Sequence, residues 1–281
     1  MWNHRRVRML TIIGDIGYDI INIKSGTKKN LGGSGYHTLI GTIAAKKKLP
    51  ILVACVGRDF DMVDISKWGI STEHLMHVQN EKTTRFLINY DGDTRDVVFE
   101  MGGSKYLCLD CIDAAVKKST IVHLAATDPE RQIKYIEKLK CMGYEGRISV
   151  DVFDQFCRDN PSRTLEVLDE CDILFMSTVE QRLLHYICFS EEKLFVLKKG
   201  EDGAECFYRG KHFISKCPHV DTVIDTTGAG DILAGVFLSL IDSDGDIETA
   251  INTSVALATK SVQFPGSDEF VRAIGSIPDF V

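Results

Sequence analysis

Six short apolar runs, residues 10–13, 51–56, 121–124, 148–152, 173–176 and 194–197, are separated by segments long enough for helices. That alternation is what a mainly parallel sheet demands, because each new parallel strand must be reached by a crossover, usually a helix. The chain therefore reads as α/β, with a mainly parallel central sheet flanked by helices. Several runs stop at a polar or acidic residue, as Gly14-Asp15 does after the first. Such stops are expected where the carboxyl ends of the strands face a ligand.

The intervening helices carry recognisable starts and stripes. Asp128 with Pro129 opens one whose Ile133, Ile136 and Leu139 share a face. A second follows Asp231, with Ile232, Leu233, Val236, Phe237 and Leu240 on one side and Gly235 expected to let the helix pack closely on the sheet. A third starts at Asp246 and runs through Ala250, Ile251, Val255, Ala258 and Val262. The acidic stretch 242–246 has its glycine in the wrong place for a calcium loop and Thr253 where a bidentate Glu is needed, so it reads as a turn. One section breaks the alternation: residues 84–90 and 94–99 are strand-like around Asp91-Gly92, a strong hairpin signal. The expectation is a single domain over residues 9–281 carrying a small antiparallel β lid, contributed by about 16–31 and 82–103.

Composition removes several function classes. With 281 residues, 44% of them hydrophobic, the chain can bury a core without staples, and its net charge of −7 disfavours a nucleic-acid or anionic membrane surface. Nine scattered cysteines mostly sit among apolar residues, as expected of a reducing cytoplasm. Cys108 and Cys111 form a lone C-x-x-C with no second pair to complete a zinc site. No run approaches the roughly 18 apolar residues of a membrane span.

The chemistry concentrates in residues 223–235, Val-Ile-Asp-Thr-Thr-Gly-Ala-Gly-Asp-Ile-Leu-Ala-Gly. They read as a strand end, a small-residue turn and the first turn of an apolar helix. The amides of Gly228, Ala229 and Gly230 would face outward at the helix start, where unpaired N–H groups favour an anion such as phosphate. Asp231 repels phosphate, so its presence there suggests another task, such as taking the proton of a hydroxyl that attacks phosphorus. A dipole-favoured acid beside turn glycines is the competing explanation. Neither a G-x-x-x-x-G-K-[ST] loop nor a complete G-x-G-x-x-G is present.

The longer string resembles the D-T-x-G-A-G-D signature of the phosphofructokinase B, or ribokinase-like, family of carbohydrate kinases, and matches every specified position from Asp225 to Asp231. The resemblance extends over nearly the whole chain. It implies a ribokinase-like fold, ATP and Mg²⁺ as cosubstrate and cofactor, and Asp231 as general base with the 228–230 amides as an anion hole. It also assigns sugar hydroxyls to Asp15, Gly32 and Gly33, since the family's N-terminal signature has an acid after the first strand and paired glycines before a helix. His37 stands where the family typically has Asn, which alters geometry and charge on the substrate side. Ser177-Thr178-Val179-Glu180 resembles the family's N-x-x-E with Ser for Asn, leaving Glu180 to organise magnesium through water. A helix-start acid is the alternative for Glu180.

Lys198, Gly200 and Gly203 resemble the strand and turn beside the family's ATP site, with Lys198 replacing a common Thr. Asn252 and Gly266 fall where relatives wrap adenine. Asp225 and Thr227 fall on the side of a monovalent cation, K⁺ in many members. Within the family, Asp15, Asp19, Ile20 and residues 121–123 look most like the short fructosamine kinases of the fructoselysine 6-kinase type. The resemblance further implies a small-molecule sugar or sugar-derivative substrate, phosphorylated on a hydroxymethyl group, and a homodimer formed through the lid. Two rivals remain: a nucleoside kinase, because the same fold and motif resemble nucleoside-phosphorylating relatives, for which Phe86, Tyr90 and Phe99 would supply an aromatic wall, and a non-catalytic sugar or nucleotide sensor.

Overall fold

The structure, a computed structural model, describes residues 9–23, 26–91, 94–107, 112–186 and 190–275. Cys108 and Cys111 lie outside these residues. The six apolar runs form strands β1 (Leu10–Ile13), β4 (Ile51–Gly57), β8 (Ile121–Leu124), β9 (Arg147–Asp151), β10 (Ile173–Ser177) and β11 (Leu194–Lys198). They lie in one nine-stranded sheet with β5 (Leu75–Val78), β12 (Ala204–Tyr208) and β13 (Lys211–Ser215), in the order β13-β12-β11-β10-β9-β8-β1-β4-β5. Every pairing from β11 to β5 is parallel, and β12 and β13 extend the sheet antiparallel. The carboxyl ends of β1, β8, β9, β10 and β11 therefore share one edge.

A second sheet covers that edge. It joins two antiparallel hairpins, β2 (Gly17–Ile23) with β3 (Gly26–Gly32) and β6 (Thr84–Asp91) with β7 (Thr94–Glu100), through a parallel pairing of β2 with β6. This is the expected lid.

Apolar clusters fill both faces of the large sheet. One contains Ile12, Phe175, Phe237, Ile251 and Phe270, the other Ile13, Leu124, Ile136, Val150 and Leu174. The helix Pro129–Cys141 begins as expected, Asp128 accepting the Glu130 N–H and Pro129 occupying the first turn. The helix named for Asp246 runs Ile247–Ser261 and is capped by that residue through the Thr249 N–H.

Two expectations are corrected. Residues 223–224 are an exposed loop and not a strand end, Val223 being 56% and Ile224 54% exposed. The Ile224 and Asp225 amides donate to the Val262 carbonyl, at 2.7 and 3.1 Å, so no sheet neighbour is needed to satisfy them. Gly235 lies on the helix Ala229–Asp242, and its bare Cα faces another helix, Ser34–Ala44, not the sheet: a Cβ there would sit 2.0 Å from the Thr38 carbonyl oxygen. That close crossing packs the two helices together, and both start at the covered sheet edge.

Candidate active site

Between the sheet edge and the lid lies a cavity of about 410 Å³. Gly33, with φ of 93°, is the N-cap of the helix Ser34–Ala44, and Gly228, with φ of 74°, is that of Ala229–Asp242. No side chain caps the latter helix. Its glycine N-cap leaves the first turn without a capping side chain, the Ala229 N–H donating to the Thr226 carbonyl at 3.3 Å, and a helix start of this kind suits an oxyanion. Gly228, Gly230, Asp231 and Thr227 all line this wall.

Asp15, just beyond β1, lines the opposite side and is 6% exposed. It accepts from Arg131 Nη1 at 3.1 Å and from the Thr127 hydroxyl at 3.1 Å. Arg131 also donates to Thr127 Oγ1, the Ser104 carbonyl and Tyr135 Oη, so the guanidinium ties the base of the lid to the Asp15 carboxylate. Gly33 lies in the same wall, and Gly32 backs onto the Asp19 carboxylate.

His37 is buried in the wall beneath Gly228. Its Nδ1 lies 2.7 Å from Ser267 Oγ and its Nε2 3.2 Å from Asp19 Oδ2, a lid residue. Burial by itself lowers the imidazole's proton affinity, but the hydrogen bond and charge of Asp19, with Asp231 and Asp225 adding, carry it above the ordinary 6.5. A folded value above the unfolded one means that the charged ring contributes stability fully below pH 6.5 and loses that contribution as pH rises through the folded value. The excess unfolding free energy of wild type over His37→Gln, from urea titrations, should therefore shrink as pH rises above neutrality. A gap that is flat or widening with pH would mean the folded imidazole is neutral.

Glu180 is a helix-start acid that also faces the cavity. It closes a capping box at the start of the helix Thr178–Leu184, its carboxylate accepting the Ser177 N–H while Ser177 Oγ accepts the Glu180 N–H at 3.2 Å. It also lines the cavity. Burial raises its carboxyl, with the Lys198 ammonium opposing the shift. Among the described residues no group of three or more His, Cys, Asp or Glu side chains is placed to hold a metal. A hydrated magnesium ion held mainly by phosphate, with Glu180 reaching it through water, fits that donor set, and a closed protein chelate does not.

Of the remaining sequence candidates, Lys198 lines the cavity. Ala229, Gly200, Gly203, Asn252 and Gly266 are not in its lining: Gly200 and Gly203 shape the turn after β11, and Asn252 is an exposed position of Ile247–Ser261. Asp225 also lies outside, its Oδ1 accepting the Thr227 N–H at 2.9 Å in a tight turn.

Sequence reasoning missed several residues that the fold brings here. Asp151, the last residue of β9, pairs with Lys198, and its signal was the general rule of acids at strand ends. Arg131 and Thr127 follow β8, beyond the end of its apolar run. Phe153 and Phe156, just past β9, meet Phe99 of the lid at ring-centroid distances of 5.8 and 6.1 Å, and Phe99 meets Phe86 at 5.7 Å. Phe86, Phe99, Phe153 and Phe156 all line the cavity. The side chain of Tyr90, the third member of the expected wall, lies outside the described set.

A covered parallel-sheet edge, with a glycine-started helix opposite a buried carboxylate, is an arrangement suited to a small phosphorylated ligand. Residues 50–273 match the pfkB family of carbohydrate kinases, and the chain belongs to that family. It is similar to a nucleoside kinase of Methanocaldococcus jannaschii, 26% identical over 85% of this chain and 81% of the relative. In fold it is similar to the Burkholderia thailandensis nucleoside kinase solved with inosine, with a TM-score of 0.78 at 16% identity over 93% of this chain and 94% of that one. It is also similar to a ribokinase of Cryptococcus neoformans var. grubii serotype A solved with ADP, with a TM-score of 0.77 at 18% identity over 95% and 99%. The finer likeness to fructosamine kinases rests on sequence motifs alone. Among the described residues no helix is long and apolar enough to cross a membrane.

Proposed function

We propose that this protein transfers the terminal phosphoryl group of ATP to a hydroxymethyl group of a sugar or sugar derivative, with Asp231 as general base. The observation that carries this reading is the uncapped start of the helix Ala229–Asp242, which presents Gly228, Gly230 and Asp231 to a cavity whose far wall is Asp15. Asp15, held by Arg131 and Thr127, accepts hydrogen bonds from acceptor hydroxyls. Asp231 takes the proton of the attacking hydroxyl. The 228–230 amides stabilise charge on the transferring group, and the lid excludes water. Magnesium, when bound, neutralises phosphate charge, and Glu180 organises its hydration shell. A K⁺ ion near Asp225 and Thr227 is part of the same proposal, tested by activity in potassium against choline salts.

A second reading is favoured by the aromatic cluster: Phe86, Phe99, Phe153 and Phe156 form a wall on which a nucleobase would stack, making the acceptor the ribose hydroxymethyl of a nucleoside. ATP consumption measured across a mixed panel of sugars and nucleosides separates the two. Turnover confined to nucleosides overturns the sugar reading, and no acceptor-dependent turnover overturns both in favour of a sensor.

Glu180→Gln is expected to raise the magnesium concentration needed for half-maximal turnover by about 10-fold, because the amide keeps an acceptor for the Ser177 N–H but loses the charge that draws a hydrated cation. Identical magnesium midpoints would leave Glu180 with its capping role alone.

A further inference from the structure

Lys198 ends β11 with its ammonium buried at the cavity wall, donating to Asp151 Oδ1 at 2.7 Å and Oδ2 at 2.8 Å. The lysine side chain is 14% exposed and the aspartate 1%. An ion pair so placed is weak evidence for stability, since desolvating two charges offsets most of their attraction. Its position indicates a different use. A Cβ on Gly230 would lie 3.4 Å from Lys198 Nζ, so the ammonium stands beside the first turn of the uncapped helix. Burial opposes its charge, but Asp151, Glu180 and Asp231 more than compensate and hold the lysine protonated. Asp151 itself is anchored from the other side, its Oδ1 accepting the Val152 N–H at 2.9 Å.

We propose that Lys198 is a catalytic residue whose ammonium binds the terminal phosphate of the nucleotide at the 228–230 amides and stabilises charge on it during transfer, with Asp151 as the positioning residue that holds the ammonium there. This rests on the phosphotransfer reading above. In the step, the bond from the acceptor oxygen to phosphorus forms as the bond from phosphorus to the ADP oxygen breaks, and the hydroxyl proton passes to Asp231. Lys198 stays protonated throughout and supplies only charge and hydrogen bonds.

The test compares affinities for ADP and for a non-hydrolysable ATP analogue by calorimetry, with no acceptor present, in wild type, Lys198→Met and the double variant Lys198→Met with Asp151→Asn. The double variant removes both buried charges together and protects the fold against an unpaired Asp151; thermal unfolding checks each protein. The analogue should lose about 10-fold or more in affinity in both variants while ADP changes by less than about 3-fold, and turnover should fall by about 10²–10³ in both. Recovery of analogue affinity in the double variant would show that Lys198 only neutralises Asp151, and equal weakening of ADP and analogue would show that it does not meet the terminal phosphate. Either result overturns the proposal. Because binding is read without acceptor, a wild type that binds the analogue but phosphorylates nothing in the panel defeats the transfer reading alone.

Discussion

Asp231→Asn is expected to lower turnover by about 10²–10⁴ while nucleotide and acceptor affinities stay within about 3-fold of wild type. The substitution keeps the size and hydrogen-bonding reach of the side chain at the first turn of Ala229–Asp242 and removes its charge, and with it the ability to accept a proton. The helix does not depend on this carboxylate for a cap, since its N-cap is Gly228. Stability should therefore change little, and a loss of rate reports on chemistry. Steady-state kinetics with binding measured separately checks it. A mutant within about 3-fold of wild-type turnover would return Asp231 to the role of an acid favoured by the helix dipole.

Gly228→Ala is the second large effect. The residue sits at φ of 74°, where side chains other than glycine's are strained. The added methyl would also lie 2.2 Å from His37 Cγ. That ring cannot swing aside without losing Ser267 and Asp19, which hold its two nitrogens. The anion-hole amides must then shift, and turnover is expected to fall by about 10²-fold or more, as when an oxyanion donor is removed. Backbone strain adds about 1–3 kcal/mol of destabilisation. Denaturant titration and kinetics on the same preparation separate the two losses. Wild-type turnover in a stably folded Gly228→Ala would mean that the 228–230 backbone does not bind the transferring group.

The sheet was legible because its parallel strands are continuous apolar runs buried on both faces, and hydrophobicity alone marks them. The lid was legible where Thr84 to Glu100 shows a hairpin signal. Its other hairpin is less visible, since Gly26–Gly32 reads Gly-Thr-Lys-Lys-Asn-Leu-Gly and is mostly exposed, with no apolar alternation to detect. Val223 and Ile224 misled for the opposite reason: β-branched residues suggest a strand, yet here they lie exposed, and the Ile224 and Asp225 N–H groups are satisfied by the end of a helix. Asp231, Glu180 and Asp15 could be named from local motifs because each follows an element end within a few residues. Asp151 with Lys198, and His37 with Asp19 and Ser267, could not. These contacts join residues from 18 to 230 positions apart, and only the tertiary fold brings them together. His37 shows the difference most plainly: the sequence presents a departure at a substrate position, and the fold presents a ring held between Asp19 of the lid and Ser267, against Gly228.

The central claim, transfer from ATP to a hydroxymethyl group at this cavity, is tested most directly by phosphorus NMR of the products formed by wild type and Asp231→Asn with magnesium, ATP and the acceptor that the panel selects. The account predicts ADP together with a new phosphomonoester signal, split into a triplet by two methylene protons, for wild type, and its near-absence for the mutant over the same interval. Release of inorganic phosphate without a phosphomonoester, or a phosphomonoester formed equally fast by Asp231→Asn, would contradict it.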